Sequence, residues 1–254
     1  MLPNFLIVGP PKSGTTSLQL YLNRHPDIFC RGETHYYDEN YNKGIKWYEK
    51  QFEKAKGEKR IGEKTPDYFY IEGIPEKIKK DFPDIKLLFI LRDPIKRAYS
   101  HYYHNLRRGV EEKSFEKHLN EKSIYINVSM YIEHIKRWKK YFSEKQMYFL
   151  KMNDLNQTKL QKIAEFLRVE SNFDFGELKR YNIGGSPRTK TLAKISQNKK
   201  KKKIPILSEG IKRGINMKRG KYPEMKKETE QKLKKIFKPY NEELKKQTNL
   251  NFNK

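Results

Sequence analysis

The sequence has almost no cysteine and no long apolar run. Cys30 is its only cysteine, so no disulfide can form within the chain and a reducing compartment is indicated. No apolar stretch approaches the ~18 residues that a membrane-spanning helix requires. The sequence opens directly on an apolar strand pattern, which leaves no room for a signal peptide before it. We therefore expect a cytoplasmic protein.

Acidic residues are also scarce relative to basic ones. The chain has 31 Asp and Glu against 56 Lys and Arg, which gives a formal net charge of +25. This surplus favours anionic partners, such as nucleic acid, an anionic polysaccharide, an anionic membrane or a phosphorylated cofactor. A compositional bias toward lysine, with the side chains solvated at the surface, explains the charge equally well. Composition alone leaves both interpretations open.

Short apolar runs alternate with helical patterns along the chain. Strands are predicted at residues 4–9, 85–93 and 146–152. Helices are predicted at residues 15–24 and 94–108, and two more helices are predicted to begin at Pro75 and Pro223. Fully apolar strands alternating with helices predict an α/β three-layer sandwich, in which helices flank a central, mostly parallel β-sheet. We expect one domain over residues 1–254, with a mobile basic loop at about 184–222 that contains the five lysines 199–203.

Two helical patterns carry apolar faces that are assigned to the core. Their spacing repeats every three or four residues, as expected for one face of a helix. The residues are Tyr131, Ile135, Trp138 and Phe142 in the first pattern, and Leu233, Phe237, Tyr240 and Leu244 in the second.

The stretch after the first strand has the pattern of a phosphate-binding turn. Backbone N–H groups at a helix N-terminus, with nearby hydroxyls, can cradle a phosphate. The predicted cradle consists of Ser13, Gly14, Thr15, Thr16 and Ser17. A nucleotide-hydrolysing loop has a lysine directly after its last glycine, whereas here Lys12 precedes Gly14. No Asp ends an apolar strand in the place of a Mg²⁺ ligand, so we expect no metal.

Two segments resemble sulfotransferases that use 3′-phosphoadenosine 5′-phosphosulfate (PAPS). PKSGTTSLQLYLNRHP resembles their 5′-phosphosulfate loop, and LLFILRDPIKRAYSHYYH resembles their 3′-phosphate motif, with Arg92 at a strand end and Ser100 on the next helix. A guanidinium and a hydroxyl in those places can bind one phosphate. The resemblance implies a P-loop-like fold, PAPS as the sulfuryl donor and 3′-phosphoadenosine 5′-phosphate (PAP) as the product.

Three further segments are similar to the carbohydrate branch, the heparan sulfate 3-O- and N-sulfotransferases: GETHYYDENYNKGIKWYEKQF, IGEKTPDYF and MKRGKYPEMKKETEQKLKKIFKPYNEEL. The resemblance implies a carbohydrate acceptor. It also implies that a late loop binds the nucleotide, through Lys218, Arg219, Gly220 and Lys221. This loop departs from the family, since Lys-Arg-Gly replaces Lys-Gly-Arg and Tyr222 stands where the family has His. The family's disulfide is absent as well.

The same resemblance gives roles to four residues. Glu33 is the candidate base for the acceptor's proton, and His35 would orient or share that proton. A structural hydrogen bond near the core is the alternative role for His35. Lys12 would stabilise the bridging oxygen as the S–O bond breaks, and Lys64 would approach the sulfuryl group or bind the acceptor. A structural ion pair between Glu63 and Lys64 is the alternative. One helix carries Arg97, His101, His104, Arg107 and Arg108. We expect most of them to form a polar helix face, and the alternative that some face the acceptor stays open.

Two other functions fit parts of the sequence. A P-loop kinase would share the fold, but the lysine after Gly14 and a Mg²⁺ ligand are missing. A nucleic-acid-binding protein would account for the charge and the lysine run, but no motif that reads nucleic acid is present. The sequence therefore predicts a PAPS-dependent sulfotransferase without a specific nucleic-acid partner, and it leaves the acceptor and the oligomeric state open.

Overall fold

Five short strands form a parallel sheet in the computed structural model, which describes residues 1–179, 185–187, 217–219 and 222–253. The strands are β1 (Phe5–Ile7), β2 (Ile28–Arg31), β3 (Arg60–Lys64), β4 (Lys86–Leu91) and β5 (Met147–Lys151). Their order across the sheet is β2-β3-β1-β4-β5, and each neighbouring pair is parallel. The predicted α/β class is confirmed. Strands β2 and β3 were not among the predicted strands.

A helix follows each strand of this sheet along the chain. They include α1 (Thr15–Leu22), α2 (Ile45–Lys50), α3 (Ile74–Asp81), α4 (Pro94–Arg107), α5 (Ile124–Asn127), α6 (Tyr131–Lys139), α7 (Gln157–Leu167) and α8 (Lys227–Thr248). The C-terminal helix begins at Lys227, four residues later than the predicted start at Pro223. In the part of the chain that the structure describes, none of the helices is long and apolar enough to cross a membrane.

The sheet belongs to a compact unit formed by Met1–Asp93, Met130–Tyr181 and Tyr240–Lys254. On one face, α1 and α7 pack against alternate strand residues such as Leu88 and Ile90. On the other face, Phe89 contacts Trp138 of α6, with the ring centroids 5.5 Å apart. The predicted stripe of α6 is confirmed as core, because Tyr131, Ile135, Trp138 and Phe142 are all buried. Burial on both faces explains why β4 is an unbroken apolar run.

A second compact unit comprises Pro94–Ser129 and Asn182–Pro239. It contains α4, α5 and an antiparallel pair, β6 (Gly185–Pro187) with β7 (Met217–Arg219). Apart from these two strands and Tyr222, the predicted basic loop at 184–222 lies outside the described residues. The single domain over 1–254 stays a prediction.

The predicted apolar face of α8 is largely confirmed, whereas the predicted polar face of α4 is wrong for two of its residues. On α8, Leu233, Phe237 and Leu244 are buried as predicted, while Tyr240 is half-buried. On α4, the mainly polar face is wrong for Arg97 and His101, because both are buried. The Arg97 guanidinium donates to Ser129 Oγ at 2.6 Å and to the Tyr125 carbonyl at 2.6 Å. Hydrogen bonds within the second unit thus compensate for the burial of this charge.

Candidate active site

The residues predicted for the site in the first unit follow the carboxyl ends of four neighbouring strands. Lys12 follows β1, Glu33 follows β2, Lys64 ends β3, and Arg92 follows β4. Parallel strands place their carboxyl ends at one edge of the sheet, which is where open α/β sheets bind their ligands. The strand order therefore brings together side chains that are far apart in the sequence.

The turn between β1 and α1 has an unusual backbone. Lys12 and Gly14 have φ angles of 74° and 91°, both in the left-handed region. A Cβ at Gly14 would lie 2.8 Å from Met152 Cγ, which adds to the preference for glycine that its left-handed φ sets. The first hydrogen bond of α1 runs from Leu18 N to Gly14 O at 3.1 Å. The N–H groups of residues 15–17 consequently have no partner within the helix and can bind an anion.

Ser13 adds a hydroxyl to this turn. Its side chain is completely buried, and Ser13 Oγ has no hydrogen-bond partner among the residues that the structure describes. A buried hydroxyl without a partner is costly unless a ligand completes it. Thr15 is also buried, whereas Thr16 and Ser17 are half-buried. The donor set of the predicted cradle fits a phosphate or sulfate oxygen.

A chain of charged groups connects the turn with the segment after β2. Lys64 Nζ lies 2.5 Å from Glu33 Oε1 and 3.5 Å from Thr16 Oγ1. Glu33 Oε2 lies 3.6 Å from His35 Nε2, and His35 Nδ1 lies 2.9 Å from Asp38 Oδ2. The side chain of Glu33 is 44% exposed, whereas those of Lys64 and Asp38 are 7% and 8% exposed. We call Lys64, Glu33, His35 and Asp38 the Glu33 network.

His35 is charged more readily than an ordinary histidine. Burial of its ring opposes the charged form, but the hydrogen bond to Asp38 and the charges of Asp38, Glu39 and Glu33 outweigh that effect and raise the pKa of His35. Its backbone has a φ of 51° and opens a π-helical turn at Tyr36–Asn40. This turn places Asp38 under the ring, because residues three apart lie on one side of a helical turn.

Asp67 lies beside His35 and Asp38. One ligand atom from each of these three residues lies within 4.8 Å of the others, and no other such group of three is present among the described residues. Asp67 Oδ1 accepts a hydrogen bond from the Tyr70 hydroxyl at 2.7 Å, and burial raises the pKa of Asp67. Since His35 Nδ1 is already bonded to Asp38 and the ring favours a proton, we interpret the group as hydrogen-bonded side chains.

Arg92 contacts the turn through its guanidinium. Its NH1 group donates to the Lys12 carbonyl at 3.3 Å, and its own carbonyl accepts from the Tyr131 hydroxyl at 2.7 Å. Ser100 belongs to the second unit, where it is buried and its Oγ lies 3.0 Å from the Tyr222 hydroxyl. The joint role of Arg92 and Ser100 at a 3′ phosphate stays a prediction.

The late nucleotide-binding loop is described only in part. Lys218 and Arg219 lie in β7, where their backbones pair with Ser186 and Gly185. Gly220 and Lys221 lie outside the described residues. The roles given to these four residues stay predictions.

Two contributors, Thr34 and Asp38, were missed by sequence reasoning, and Glu63 was considered only as an ion-pair partner of Lys64. The predicted alternative of a Glu63–Lys64 ion pair is not formed, since Lys64 pairs with Glu33. Asp38 could have been found from its spacing of three residues after His35. No sequence signal marks the hydrogen bond between Thr34 and Glu63, because it joins the segment after β2 to β3.

Solved structures with a similar fold are sulfotransferases. A sulfotransferase from Alicyclobacillus acidocaldarius has a TM-score of 0.72 at 23% identity, with 98% of this chain and 96% of that chain covered. A mouse sulfotransferase complexed with PAP has a TM-score of 0.54 at 18% identity, with coverages of 94% and 83%. At these identities the likeness shows the fold, which is that of sulfotransferases.

The sulfotransferase domain family matches residues 2–249, and the chain belongs to this family. Heparan sulfate glucosamine 3-O-sulfotransferase 5 of Homo sapiens is 36% identical over 187 residues, which cover 66% of this chain and 54% of that protein. The chain spans about half the length of the curated relatives it matches. The predicted resemblance to the carbohydrate branch of the sulfotransferases is confirmed.

Proposed function

We propose that this protein transfers a sulfuryl group from PAPS to a hydroxyl, or an amine, of a carbohydrate acceptor. The observation that carries the proposal is the Glu33 network, in which a half-exposed carboxylate lies between a lysine and a histidine beside an anion-binding turn. The carbohydrate acceptor is supported by the relative whose name specifies a heparan sulfate glucosamine. The charge of +25 would attract an anionic glycan as well as the nucleotide.

The donor set of the turn fits PAPS. Ser13 Oγ, the N–H groups at the start of α1 and the Lys12 ammonium would hold its 5′ phosphosulfate. The absence of Cβ at Gly14 lets the turn pack closely against Met152 with a left-handed backbone, which holds the N–H groups in place. When bound, PAPS supplies the sulfuryl group and a phosphate leaving group.

The residues of the chain then supply the base and the compensating charge. Glu33 takes the proton of the acceptor while the acceptor oxygen or nitrogen bonds to sulfur and the bond from sulfur to the phosphate oxygen breaks. Lys64 holds one oxygen of Glu33 at 2.5 Å, and the other oxygen faces His35 at 3.6 Å. Asp38 fixes the His35 ring by its bond to Nδ1. Lys12 compensates the charge that develops on the departing phosphate.

A transfer assay with labelled PAPS tests the proposal. The acceptors are heparan sulfate, other glycans, glycolipids and small alcohols, and labelled ATP with Mg²⁺ replaces PAPS in a parallel arm. We expect label from PAPS on a glycan, no transfer from ATP, and unchanged transfer in EDTA, since Lys12 and the start of α1 supply positive charge. Phosphoryl transfer from ATP would contradict the proposal.

Loss of sulfuryl transfer in EDTA, with recovery in Mg²⁺, would contradict the metal-free chemistry. His35, Asp38 and Asp67 would then be the candidate metal ligands. The cytoplasmic location stays a prediction.

A further inference from the structure

Glu63 is an acidic side chain that the mechanism above does not use. It lies in β3, in register with Leu6 of β1 and Arg31 of β2, and it is completely buried. It is the one acidic residue with no exposure to solvent in the described part of the chain. A buried carboxyl group is costly, so its surroundings call for a physical explanation.

Glu63 contacts the segment that carries the candidate base. Thr34 Oγ1 donates a hydrogen bond to Glu63 Oε2. The same Thr34 Oγ1 accepts from the backbone N–H of Tyr36 at 3.2 Å. The Thr34 amide donates to Thr65 Oγ1 at 3.3 Å, and the Thr34 carbonyl accepts from Asn40 Nδ2 at 3.2 Å. Every polar group of Thr34 is thus engaged, and Glu63 holds its hydroxyl.

Thr34 stands between the two residues that do the proposed chemistry. The Glu33 side chain forms hydrogen bonds or ion pairs only with Lys64 and His35 among the described residues, and it is 44% exposed. Its position therefore depends on the backbone on either side, where His35 adopts a left-handed φ of 51°. The fixed point of this backbone is Thr34, which is only 6% exposed.

The surroundings of Glu63 favour its neutral form. Burial raises the pKa of Glu63 to about 7, although the hydrogen bond from Thr34 and the nearby hydroxyls of Tyr68 and Tyr48 act in the opposite direction. The Tyr48 hydroxyl interacts with the carboxyl, yet neither it nor Glu63 Oε1 completes a hydrogen bond of good geometry with a described residue. An ionised Glu63 would leave a charged oxygen short of donors and away from water. The titratable groups around it are Cys30, Tyr37, Asp38, Lys64, Tyr48 and Tyr68.

We propose that Glu63 is a positioning residue whose neutral carboxyl group holds Thr34, and through it Glu33 and His35, and that ionisation of Glu63 loosens this segment. The inference rests on the proposed function for its catalytic consequence. Its structural consequence, the order of residues 33–40, is independent of that function. The expected result is a transferase whose site becomes less ordered as the pH rises through about 7.

Amide hydrogen exchange of the peptide 33–40 tests the structural consequence. Wild-type protection factors, corrected for intrinsic exchange, are expected to fall several-fold from about pH 6 to about pH 8. Glu63→Gln keeps the shape and stays neutral, so its protection factors are expected to fall much less than those of wild type, by only the part that the titration of His35 contributes in both proteins. The same pH dependence in both proteins would overturn the proposal, whether or not the protein proves to be a sulfotransferase.

Substitutions of Thr34 test the catalytic consequence. Thr34→Val keeps the shape without the hydroxyl, and we expect turnover to fall about 10-fold or more while PAP affinity stays within about twofold. Thr34→Ser restores the hydroxyl and is expected to recover turnover to within about threefold of wild type. Thr229→Val, at a buried threonine in α8, is the matched control. Equal losses of turnover in Thr34→Val and Thr34→Ser would overturn the positioning role.

An inactive wild type would contradict the proposed function, and the exchange experiment would still decide the role of Glu63.

Discussion

Two lysines lie in the candidate site, Lys64 at the end of β3 and Lys12 in the turn after β1, and their surroundings differ. Lys64 is 7% exposed at its side chain and lies between Glu33 and Thr16. Lys12 is in the turn itself, with a left-handed backbone, and its carbonyl accepts a hydrogen bond from Arg92. Under the proposed function, Lys64 acts on the base Glu33, whereas Lys12 acts on the nucleotide.

Removal of each lysine charge should affect a different kinetic quantity. Lys12→Ala is expected to weaken PAP binding and to lower turnover, roughly 10²-fold for the latter, because its charge serves both the bound nucleotide and the departing phosphate. Lys64→Met should lower turnover with little change in PAP affinity, because it mainly releases Glu33. Steady-state kinetics and calorimetry with PAP measure both quantities. Lys59→Ala, at an exposed lysine paired with Asp27, is the control. Identical effects of Lys12→Ala and Lys64→Met would contradict the distinction.

Glu63 also predicts a pH dependence of stability. Its pKa is raised from 4.5 to about 7 in the folded protein, so the unfolded chain loses this proton first as the pH rises. The contribution of neutral Glu63 to the free energy of unfolding is fully present below about pH 4.5. It decreases between about pH 4.5 and about pH 7 and is lost above about pH 7. The total change is on the order of 3 kcal/mol. Urea unfolding of wild type against Glu63→Gln measures it, and a free-energy difference that does not vary over that pH range would contradict it.

At the scale of single elements, the predictable parts are those whose sequence pattern matches their burial. β1, β4 and β5 are apolar runs, and α6 has a regular apolar stripe, so local patterns were sufficient. β3 was missed because it reads Arg-Ile-Gly-Glu-Lys, with one large apolar residue. A Cβ at Gly62 would lie 2.5 Å from the Phe5 ring, so this strand is defined by a contact with β1 that no local pattern shows. The contact that Glu63 makes with Thr34 from that strand was hidden for the same reason.

The turn before α1 gives a prediction at this scale. Gly14→Ala places a Cβ 2.8 Å from Met152 Cγ at a φ of 91°, so we expect both strain and displacement of the turn. Gly73→Ala is the matched control, since Gly73 precedes α3 with a φ of 75° and open space around it. Both variants should lose about 1 kcal/mol from strain. Only Gly14→Ala should also lose the thermal shift caused by PAP. A full PAP shift in Gly14→Ala would show that the turn does not bind the nucleotide.

At the scale of the whole molecule, the two sequence motifs predict an adenosine nucleotide that carries phosphates at both its 5′ and its 3′ position. The 5′ loop follows β1 in the first unit, and Arg92 and Ser100 were assigned to the 3′ phosphate from the sequence. PAP should raise the melting temperature by several degrees, whereas AMP, which lacks the 3′ phosphate, should have little effect at the same concentration. Thermal melts with the two nucleotides, at matched ionic strength because of the charge of +25, make the comparison. Equal shifts would remove the role given to Arg92 and Ser100.

The most direct test of the account is the rate of sulfuryl transfer from labelled PAPS by wild type and Glu33→Gln. This substitution keeps the size and shape of the side chain and one acceptor oxygen, but the amide cannot take a proton. We expect PAP affinity to stay within about twofold and turnover to fall by about 10²–10⁴-fold. Glu53→Gln, at an exposed glutamate, serves as the control and should retain full turnover. Near-normal transfer by Glu33→Gln would contradict the central claim that Glu33 is the base, and His35 would be the next residue to substitute.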